Sequence, residues 1–172
     1  MTFVKNCKNI VALLFFSFLF ITVPILAPAA VADESKGATA SAAPDFDLQD
    51  LTGTHVTLSQ FKGQKPVLLE FWATWCHFCM AARPEVNKLR KDTPPADLEI
   101  LAINVGSGDS LEKLKRFEQT DPAPYPVLYD PGSKVTSSYK VEGIPHFVLL
   151  DKDGAVKYQG NRLPSDLMGL LK

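Results

Sequence analysis

The sequence is poor in cysteine and has no surplus of positive charge, and these shortages exclude several classes of protein. Its 172 residues include three cysteines, and 18 basic against 19 acidic residues give a formal net charge of -1. Without a basic surplus the chain lacks the excess positive charge with which nucleic-acid-binding proteins neutralise phosphate groups. Its 46% hydrophobic and 22% charged residues are typical of a globular protein, which disfavours extended disorder, collagen and a polytopic membrane protein.

The first 32 residues differ in character from the rest. Lys5 and Lys8 precede a run of fourteen mostly apolar residues from Ile10 to Val23, which suits a signal peptide better than a membrane span of roughly 18 or more. Ala30 and Ala32 supply the small residues of a cleavage site. Residues 1–32 are therefore predicted to be a signal peptide. The alternative is an uncleaved membrane anchor with its lysines in the cytoplasm, and either way the remainder is exported.

Cysteine usage narrows the chemistry of the exported part. Cys7 lies in the targeting segment, so Cys76 and Cys79 are the two thiols of the mature chain. This count excludes a structural disulfide framework, and a C-x-x-C pair closes too short a loop to stabilise the fold much. Zinc needs four ligands, but the chain has no second C-x-x-C and only three histidines, which disfavours structural zinc. Redox chemistry is the interpretation that fits best.

The apolar periodicity predicts one α/β domain. Residues 33–44 are small and polar and are predicted to be a flexible linker before a domain at 45–172. Alternating apolar residues on either side of Thr52-Gly53 predict a hairpin, and residues 67–73 and 98–105 predict buried strands. A helix is predicted from Cys76 to about Arg90, with Arg83 and Arg90 facing water.

The second half alternates in the same way, which indicates a mixed sheet flanked by helices. Asp109 and Glu112 resemble a capping box at the start of a further helix. The remaining predicted elements are a strand at 125–129, a helix at 133–139, a hairpin around 151–154 and a brief helix at 165–171.

The predicted helix gives the two thiols different properties. Cys76 lies at the helix N-terminus, where unpaired N–H groups and the helix dipole favour its thiolate. Cys79 lies one turn further on, on the buried side. Cys76 is therefore predicted to attack a partner's disulfide, and Cys79 to resolve the mixed disulfide.

An acid interrupts the buried strand. Glu70 shares a strand face with Leu68 and Trp72, and burying its charge unpaired would cost several kcal/mol. A carboxylate with a raised pKa on this face could accept the proton of Cys79 when that thiol must attack. The alternative is a carboxylate paired with a lysine at the edge of the sheet.

Pro145 opens a further strand in Gly143-Ile144-Pro145-His146. A proline at a strand start fits a cis peptide bond. His77 and His146 are interpreted as polar surface groups near a cleft, and no metal ligand is predicted from them.

The stretch PDFDLQDLTGTHVTLSQFKGQKPVLLEFWATWCHFC, together with Pro84 and VEGIPHFVLLDKDG, resembles the thioredoxin superfamily, specifically the exported TlpA/ResA-like thiol-disulfide oxidoreductases. The resemblance covers residues 44–171. It implies a thioredoxin fold with an N-terminal hairpin extension and an inserted helix-strand unit. It also implies a cis Pro145 beside the active-site disulfide, substrate binding by Trp75, Ile144 and Pro145, and proton transfer by Glu70.

The function implied is reduction of disulfides in exported proteins, in a bacterial periplasm or at the outer face of the cytoplasmic membrane. No cofactor or metal is expected, and a membrane thiol reductase would supply electrons. Members of the family serve cytochrome c maturation, sporulation or general envelope thiol reduction. Two alternatives stay open: a dithiol oxidase, and a Cu(I) chaperone using both thiols with a histidine or Met80. Peroxidase activity is disfavoured, because the proline it requires ahead of the cysteine is absent.

Overall fold

Seven strands form the central sheet of this computed structural model, which describes residues 42–172. The strands are β1 (Asp47–Asp50), β2 (His55–Thr57), β3 (Val67–Trp72), β4 (Glu99–Asn104), β5 (Val127–Tyr129), β6 (His146–Leu150) and β7 (Val156–Gly160). Their order in the sheet is β2-β1-β5-β4-β3-β6-β7. Strands β3, β4 and β5 run parallel, and the outer pairings are antiparallel. The sheet is mixed, as the sequence predicted.

The predictions for the N-terminal segment concern residues that lie mostly outside the described part of the chain. The signal peptide predicted for residues 1–32 lies there, as does the linker up to residue 41. Ala43 N–H donates to the Gly154 carbonyl at 3.0 Å, so this residue of the predicted linker contacts the domain. Within residues 42–172, no helix combines the length and the apolar character needed to cross a bilayer.

Within residues 42–172, three α-helices pack on the sheet: α1 (His77–Asp92), α2 (Leu111–Thr120) and α3 (Lys134–Ser138). The neighbouring residues Phe71 and Trp72 distinguish the two faces, because successive side chains of a strand point to opposite sides. The Trp72 ring lies 5.5 Å from that of Phe117 on α2. The Phe71 ring lies 5.4 Å from that of Tyr139, which ends α3. Helix α2 therefore covers one face and α3 the other.

Strand β3 carries the start of the cysteine motif and lies in the interior of the sheet. All six of its residues are buried, as expected of a strand covered on both faces. Leu69 pairs with Leu101 of β4 on one side and with Val148 of β6 on the other. The cysteine motif thus begins at the end of a fully buried interior strand of the sheet.

The N-terminal hairpin, formed by β1 and β2, contacts β5, the strand of the inserted helix-strand unit. The Asp50 carboxylate accepts hydrogen bonds from the N–H groups of Thr52 and Thr54, at 2.8 and 2.9 Å, and Gly53 adopts a φ of 93° that favours glycine. Strand β1 then pairs with β5, with Gln49 opposite Tyr129. The two predicted extensions of the fold therefore support each other, a contact that the sequence did not predict.

Two arginines predicted to face water are instead buried, and that prediction is wrong. Arg83 and Arg90 are 5% and 7% exposed. Arg90 donates to the Thr93 carbonyl at 3.2 Å and lies 3.5 Å from the Glu99 carboxylate. A guanidinium whose donors are satisfied can occupy a partly apolar site that an amphipathic pattern would reserve for aliphatic residues.

Two predicted helix boundaries also need correction. Helix α2 begins at Leu111 with Ser110 as its cap, and the Ser110 hydroxyl accepts from Lys113 N–H at 3.2 Å. Asp109 is therefore not the cap. The brief helix predicted for 165–171 is a turn followed by a 3-10 segment at Gly169–Leu171.

Candidate active site

The two cysteines lie where β3 gives way to α1. Cys76 is the N-cap of α1 in an extended conformation, and its sulfur accepts a hydrogen bond from Cys79 N–H at 3.1 Å. The two form a disulfide. Cys76 is 5% exposed and Cys79 is 1% exposed. The helix-terminal position of the first cysteine and the deeper position of the second are both as predicted.

Exposed aromatic side chains lie beside the disulfide. Trp75 is 54% exposed and Phe78 is 75% exposed. The Trp75 Nε1 group donates to the Ser107 carbonyl at 2.8 Å, which fixes the ring against the loop after β4. A Cβ on Gly108 would lie 2.7 Å from the same nitrogen, so glycine leaves room for the indole. Apolar surface is thereby presented next to the sulfur atoms.

Pro145 is joined to Ile144 by a cis peptide bond, as predicted. His146, the next residue, pairs with Phe71 near the end of β3. Antiparallel pairing therefore places the Ile144–Pro145 segment beside the end of β3 from which the cysteine motif continues. The sheet brings together two predicted parts of the site that are 66 positions apart, from Cys79 to Pro145.

Asn161, which sequence reasoning missed, holds this segment in place. Its Nδ2 group donates to the Gly143 carbonyl at 3.1 Å and to the Pro145 carbonyl at 2.9 Å. The carbonyl of Ile144, between them, receives no hydrogen bond from residues 42–172. An extended peptide can therefore pair with the backbone at Ile144. No local sequence pattern marks Asn161, because it follows β7 and acts on the segment before β6, which antiparallel pairing of the two strands brings alongside it.

Glu70 is buried in the middle of the sheet and is 3% exposed. It pairs with Ala102 of β4 and Phe147 of β6, so the alternative of a lysine pair at a sheet edge is wrong. Glu70 and Trp72 share a face of β3, and Trp72 contacts Arg83 of α1. Glu70 therefore faces the layer that contains α1 and Cys79, as predicted.

Burial raises the pKa of Glu70 from its ordinary value of 4.5 to about 7. The positive charge of Arg83 acts in the opposite direction and lowers it, while the negative charge of Glu118 raises it further. A carboxyl group that titrates near neutral pH can both accept and return a proton at physiological pH. The direction of the shift is the one that the sequence predicted.

Arg83, which was predicted to face water, instead lies in the buried layer between α1 and β3. Its guanidinium lies 5.2 Å from the Trp72 ring and 5.2 Å from the Phe117 ring. It donates to the Glu118 carboxylate at 2.9 Å and pairs with Asp121 at 2.8 Å. The signal was available in principle, since an arginine four residues after Cys79 lies on the same side of the helix as that buried thiol.

Asp109 anchors the loop that precedes Cys76. Its carboxylate accepts from Thr74 N–H at 2.8 Å, from Asn104 Nδ2 at 2.7 Å and from the Lys113 ammonium at 2.8 Å. Its side chain is fully buried. Burial alone would raise the pKa of Asp109, but hydrogen bonds from Asn104, Lys113 and Thr74 outweigh burial and lower it. An ionised Asp109 thus fixes the backbone two residues before the attacking cysteine.

The histidines do not gather around the thiols. His77 is exposed on the first turn of α1. His146 is buried, so the prediction that it is a surface group is wrong. Burial lowers its pKa, and its Nε2 has no hydrogen-bond partner among the described residues. Residues 42–172 contain no group of three or more His, Cys, Asp or Glu side chains arranged to hold a metal. The Cu(I) chaperone alternative stays an untested prediction.

Comparison with known sequences agrees with this geometry. A profile of the AhpC/TSA family matches residues 39–159. The chain is 41% identical over 127 residues to the thiol-disulfide oxidoreductase ResA of Geobacillus kaustophilus, covering 73% of this chain and 70% of the relative. It is 35% identical over 143 residues to ResA of Bacillus anthracis, covering 82% and 81% of the two chains.

Solved structures show the same likeness. The thioredoxin domain of a thiol-disulfide oxidoreductase from Bacteroides vulgatus has a TM-score of 0.67 and 28% identity, covering 77% of this chain and 94% of that one. The exposed lipoprotein thioredoxin of Streptococcus pneumoniae has a TM-score of 0.63 and 28% identity, covering 74% and 98%. Fold and sequence therefore point to the same group of proteins.

Proposed function

We propose a function that proceeds from one premise: the chain belongs to the AhpC/TSA family and is a thiol-disulfide oxidoreductase with a thioredoxin fold. Its role is to reduce disulfide bonds of exported proteins outside the bacterial cytoplasm. The observation that supports this most strongly is the Cys76–Cys79 pair itself, with Cys76 capping α1 and Cys79 enclosed behind it.

The first step of the reaction uses Cys76. In the reduced protein its thiolate attacks one sulfur of the substrate disulfide, a new S–S bond forms, and the other substrate sulfur leaves as a thiolate. The N–H of Cys79, which donates to the Cys76 sulfur at 3.1 Å, is placed to stabilise the negative charge on that sulfur. The helix N-terminus contributes further stabilisation.

The second step uses Cys79 and Glu70. The Glu70 carboxylate accepts the Cys79 proton, and the resulting thiolate attacks the Cys76 sulfur and expels the second substrate thiolate. Two electrons have then passed from the protein's dithiol to the substrate. An external dithiol restores the reduced pair, and Glu70 returns the proton to Cys79. A buried carboxyl group with a pKa raised to about 7 suits both directions of this transfer.

Substrate docks as an extended peptide along the cis-proline segment. The carbonyl of Ile144 offers a backbone hydrogen bond, and Trp75 offers exposed apolar surface next to Cys76. Pairing with backbone groups and a general apolar contact select an extended segment around a disulfide rather than a particular sequence. This mode suits an enzyme with several exported clients, including the apocytochromes c of cytochrome c maturation.

The charges around the motif favour reduction over oxidation. A strongly oxidising pair needs a very stable Cys76 thiolate. The two cations in the network behind the motif already pair with acids: Arg83 with Glu118 and Asp121, and Lys113 with Asp109. The thiolate therefore depends chiefly on the helix N-terminus, which supplies at most about 2 kcal/mol.

Export of the protein and the direction of its thiol-disulfide exchange can be tested together. We expect the protein isolated from the bacterial envelope to begin at Asp33, as mass spectrometry of the intact chain would show. Acid quenching of cells followed by alkylation should find Cys76 and Cys79 mainly reduced. A membrane thiol reductase would reduce their disulfide again after each turnover, although the compartment is otherwise oxidising. A pair trapped as disulfide throughout growth would contradict reduction, and a chain retained in the cytoplasm would contradict export.

A further inference from the structure

Arg83 occupies a position that packing alone does not explain. It lies on α1 four residues after Cys79, on the same side of the helix, and is 5% exposed. Its guanidinium lies 5.2 Å from the Trp72 ring and 5.2 Å from the Phe117 ring, and these two rings contact each other at 5.5 Å. A well-packed apolar side chain would attach α1 to β3 as well as or better than a buried ion pair does. The charge itself therefore calls for an explanation.

The charged groups around Glu70 come from two helices and a loop. Arg83 approaches this face of β3 from α1, with its guanidinium 5.2 Å from the ring of Trp72, which lies two positions after Glu70 on the same strand face. Glu118 of α2 binds the same guanidinium at 2.9 Å. Burial and the charge of Glu70 raise the pKa of Tyr125, in the segment before β5. The strand neighbours of Glu70 are apolar: Ala102 and Phe147. Arg83 is thus the one cation that acts on Glu70 among the described residues, and Glu118 opposes it.

We propose that Arg83 is a positioning residue for thiol-disulfide exchange: its charge, held behind Cys79, keeps the Glu70 carboxylate ionised often enough at neutral pH to accept the Cys79 proton. This inference rests on the proposed function and assigns a part of its chemistry to a residue that touches neither sulfur. The ion pairs with Glu118 and Asp121 hold the guanidinium in place and at the same time moderate its charge.

The test follows the two steps of exchange separately. Reduced protein is mixed in a stopped-flow instrument with dithiobis(nitrobenzoate), whose two coloured halves are released one after the other by Cys76 and then by Cys79. For Arg83→Met we expect the pH midpoint of the second release to move up by about one unit, with a roughly tenfold slower second release at pH 7. The first release should change less than about twofold, because the helix N-terminus stabilises the Cys76 thiolate.

A second variant is expected to shift the pH midpoint in the opposite direction, so the proposal can be tested even if Arg83→Met does not fold. Glu118→Gln retains a side-chain oxygen to accept from Ala123 N–H but removes the charge that opposes Arg83. We expect its pH midpoint to move down. An unchanged midpoint in this variant overturns the proposal, whether or not Arg83→Met folds.

Glu70→Gln shows whether Arg83 acts through Glu70. In that background Arg83→Met should leave the second release unchanged, and a shift of equal size there would mean that Arg83 acts on Cys79 directly, which overturns the proposal. If Glu70→Gln alone has a normal pH profile, Glu70 is not the proton acceptor, and the proposal is overturned as well. If the reduced wild type releases neither half, thiol-disulfide exchange itself fails, and the proposed function is refuted rather than this inference alone.

Discussion

Replacing Cys76 by serine should abolish turnover of a disulfide substrate, with a loss on the order of a thousandfold or more. The Cys76 sulfur is the atom that attacks, and the serine hydroxyl is neither ionised at neutral pH nor able to form a disulfide. Cys79 cannot take over this role, because it is 1% exposed and lies behind the first turn of α1. The measurement is the rate of reduction of a disulfide-bonded peptide with a chemical dithiol as electron source.

Cys79→Ser is the matched control, since it makes the same atomic change one helical turn away. We expect it to attack substrate at a near-normal rate and then to stall, with one substrate molecule bound per chain through Cys76. Intact mass spectrometry would detect this adduct, which a second thiol removes. Undiminished turnover by Cys76→Ser would refute the catalytic role of the pair.

Glu70→Gln should make the stability of the oxidised protein less dependent on pH. In the folded protein the pKa of Glu70 is raised from 4.5 to about 7. Below the lower of these values Glu70 is protonated in both folded and unfolded chains, so it exerts no penalty. Between the two values the unfolded chain has released this proton while the folded chain still holds it, so stability falls steadily as the pH rises from about 4.5 to about 7. Above the higher value both chains are ionised, and the full cost of the buried charge remains. The wild type should therefore lose about 3 kcal/mol relative to Glu70→Gln between pH 4 and pH 8.

Urea unfolding of the two proteins at a series of pH values measures this difference. Subtracting the curves cancels the titrations that the variants share, such as that of Asp109. Glu85→Gln is the control, because Glu85 is exposed on α1 and the same chemical change there should leave the pH dependence intact. Parallel curves for the wild type and Glu70→Gln would show that the carboxyl group titrates as it does in water.

Much of the site could be predicted because its signals are local. The apolar run of β3 predicts a strand buried on both faces, and the cysteine pair that follows lies at the first turn of a helix. Glu70 was conspicuous because an acid inside such a run needs a function or a partner. Pro145 lies at the start of β6, where a proline fits a cis bond, but its place in the site is implied by the family resemblance; its cis bond agrees with the prediction.

Arg83 and Asp109 escaped prediction because their surroundings come from distant parts of the chain. Helical periodicity treats arginine as polar, yet Arg83 meets an aromatic pair and two acids that are brought to it by β3 and α2. Asp109 precedes a helix, which suggests a cap, but Ser110 serves as the cap. Pairing of β3 with β4 brings Asn104 and the following loop alongside Thr74, and Asp109 binds both. Such contacts depend on strand register, which local pattern does not determine.

The reduction potential of the Cys76/Cys79 pair tests the central claim most directly. It is measured by equilibrating the protein with glutathione or dithiothreitol buffers and quantifying the reduced fraction. The limited stabilisation of the Cys76 thiolate predicts a potential closer to that of thioredoxin, about -270 mV, than to that of DsbA, about -120 mV. The two values differ by roughly 7 kcal/mol in relative dithiol stability, well above the contribution of a helix N-terminus. A potential near -120 mV would contradict reduction and favour a dithiol oxidase.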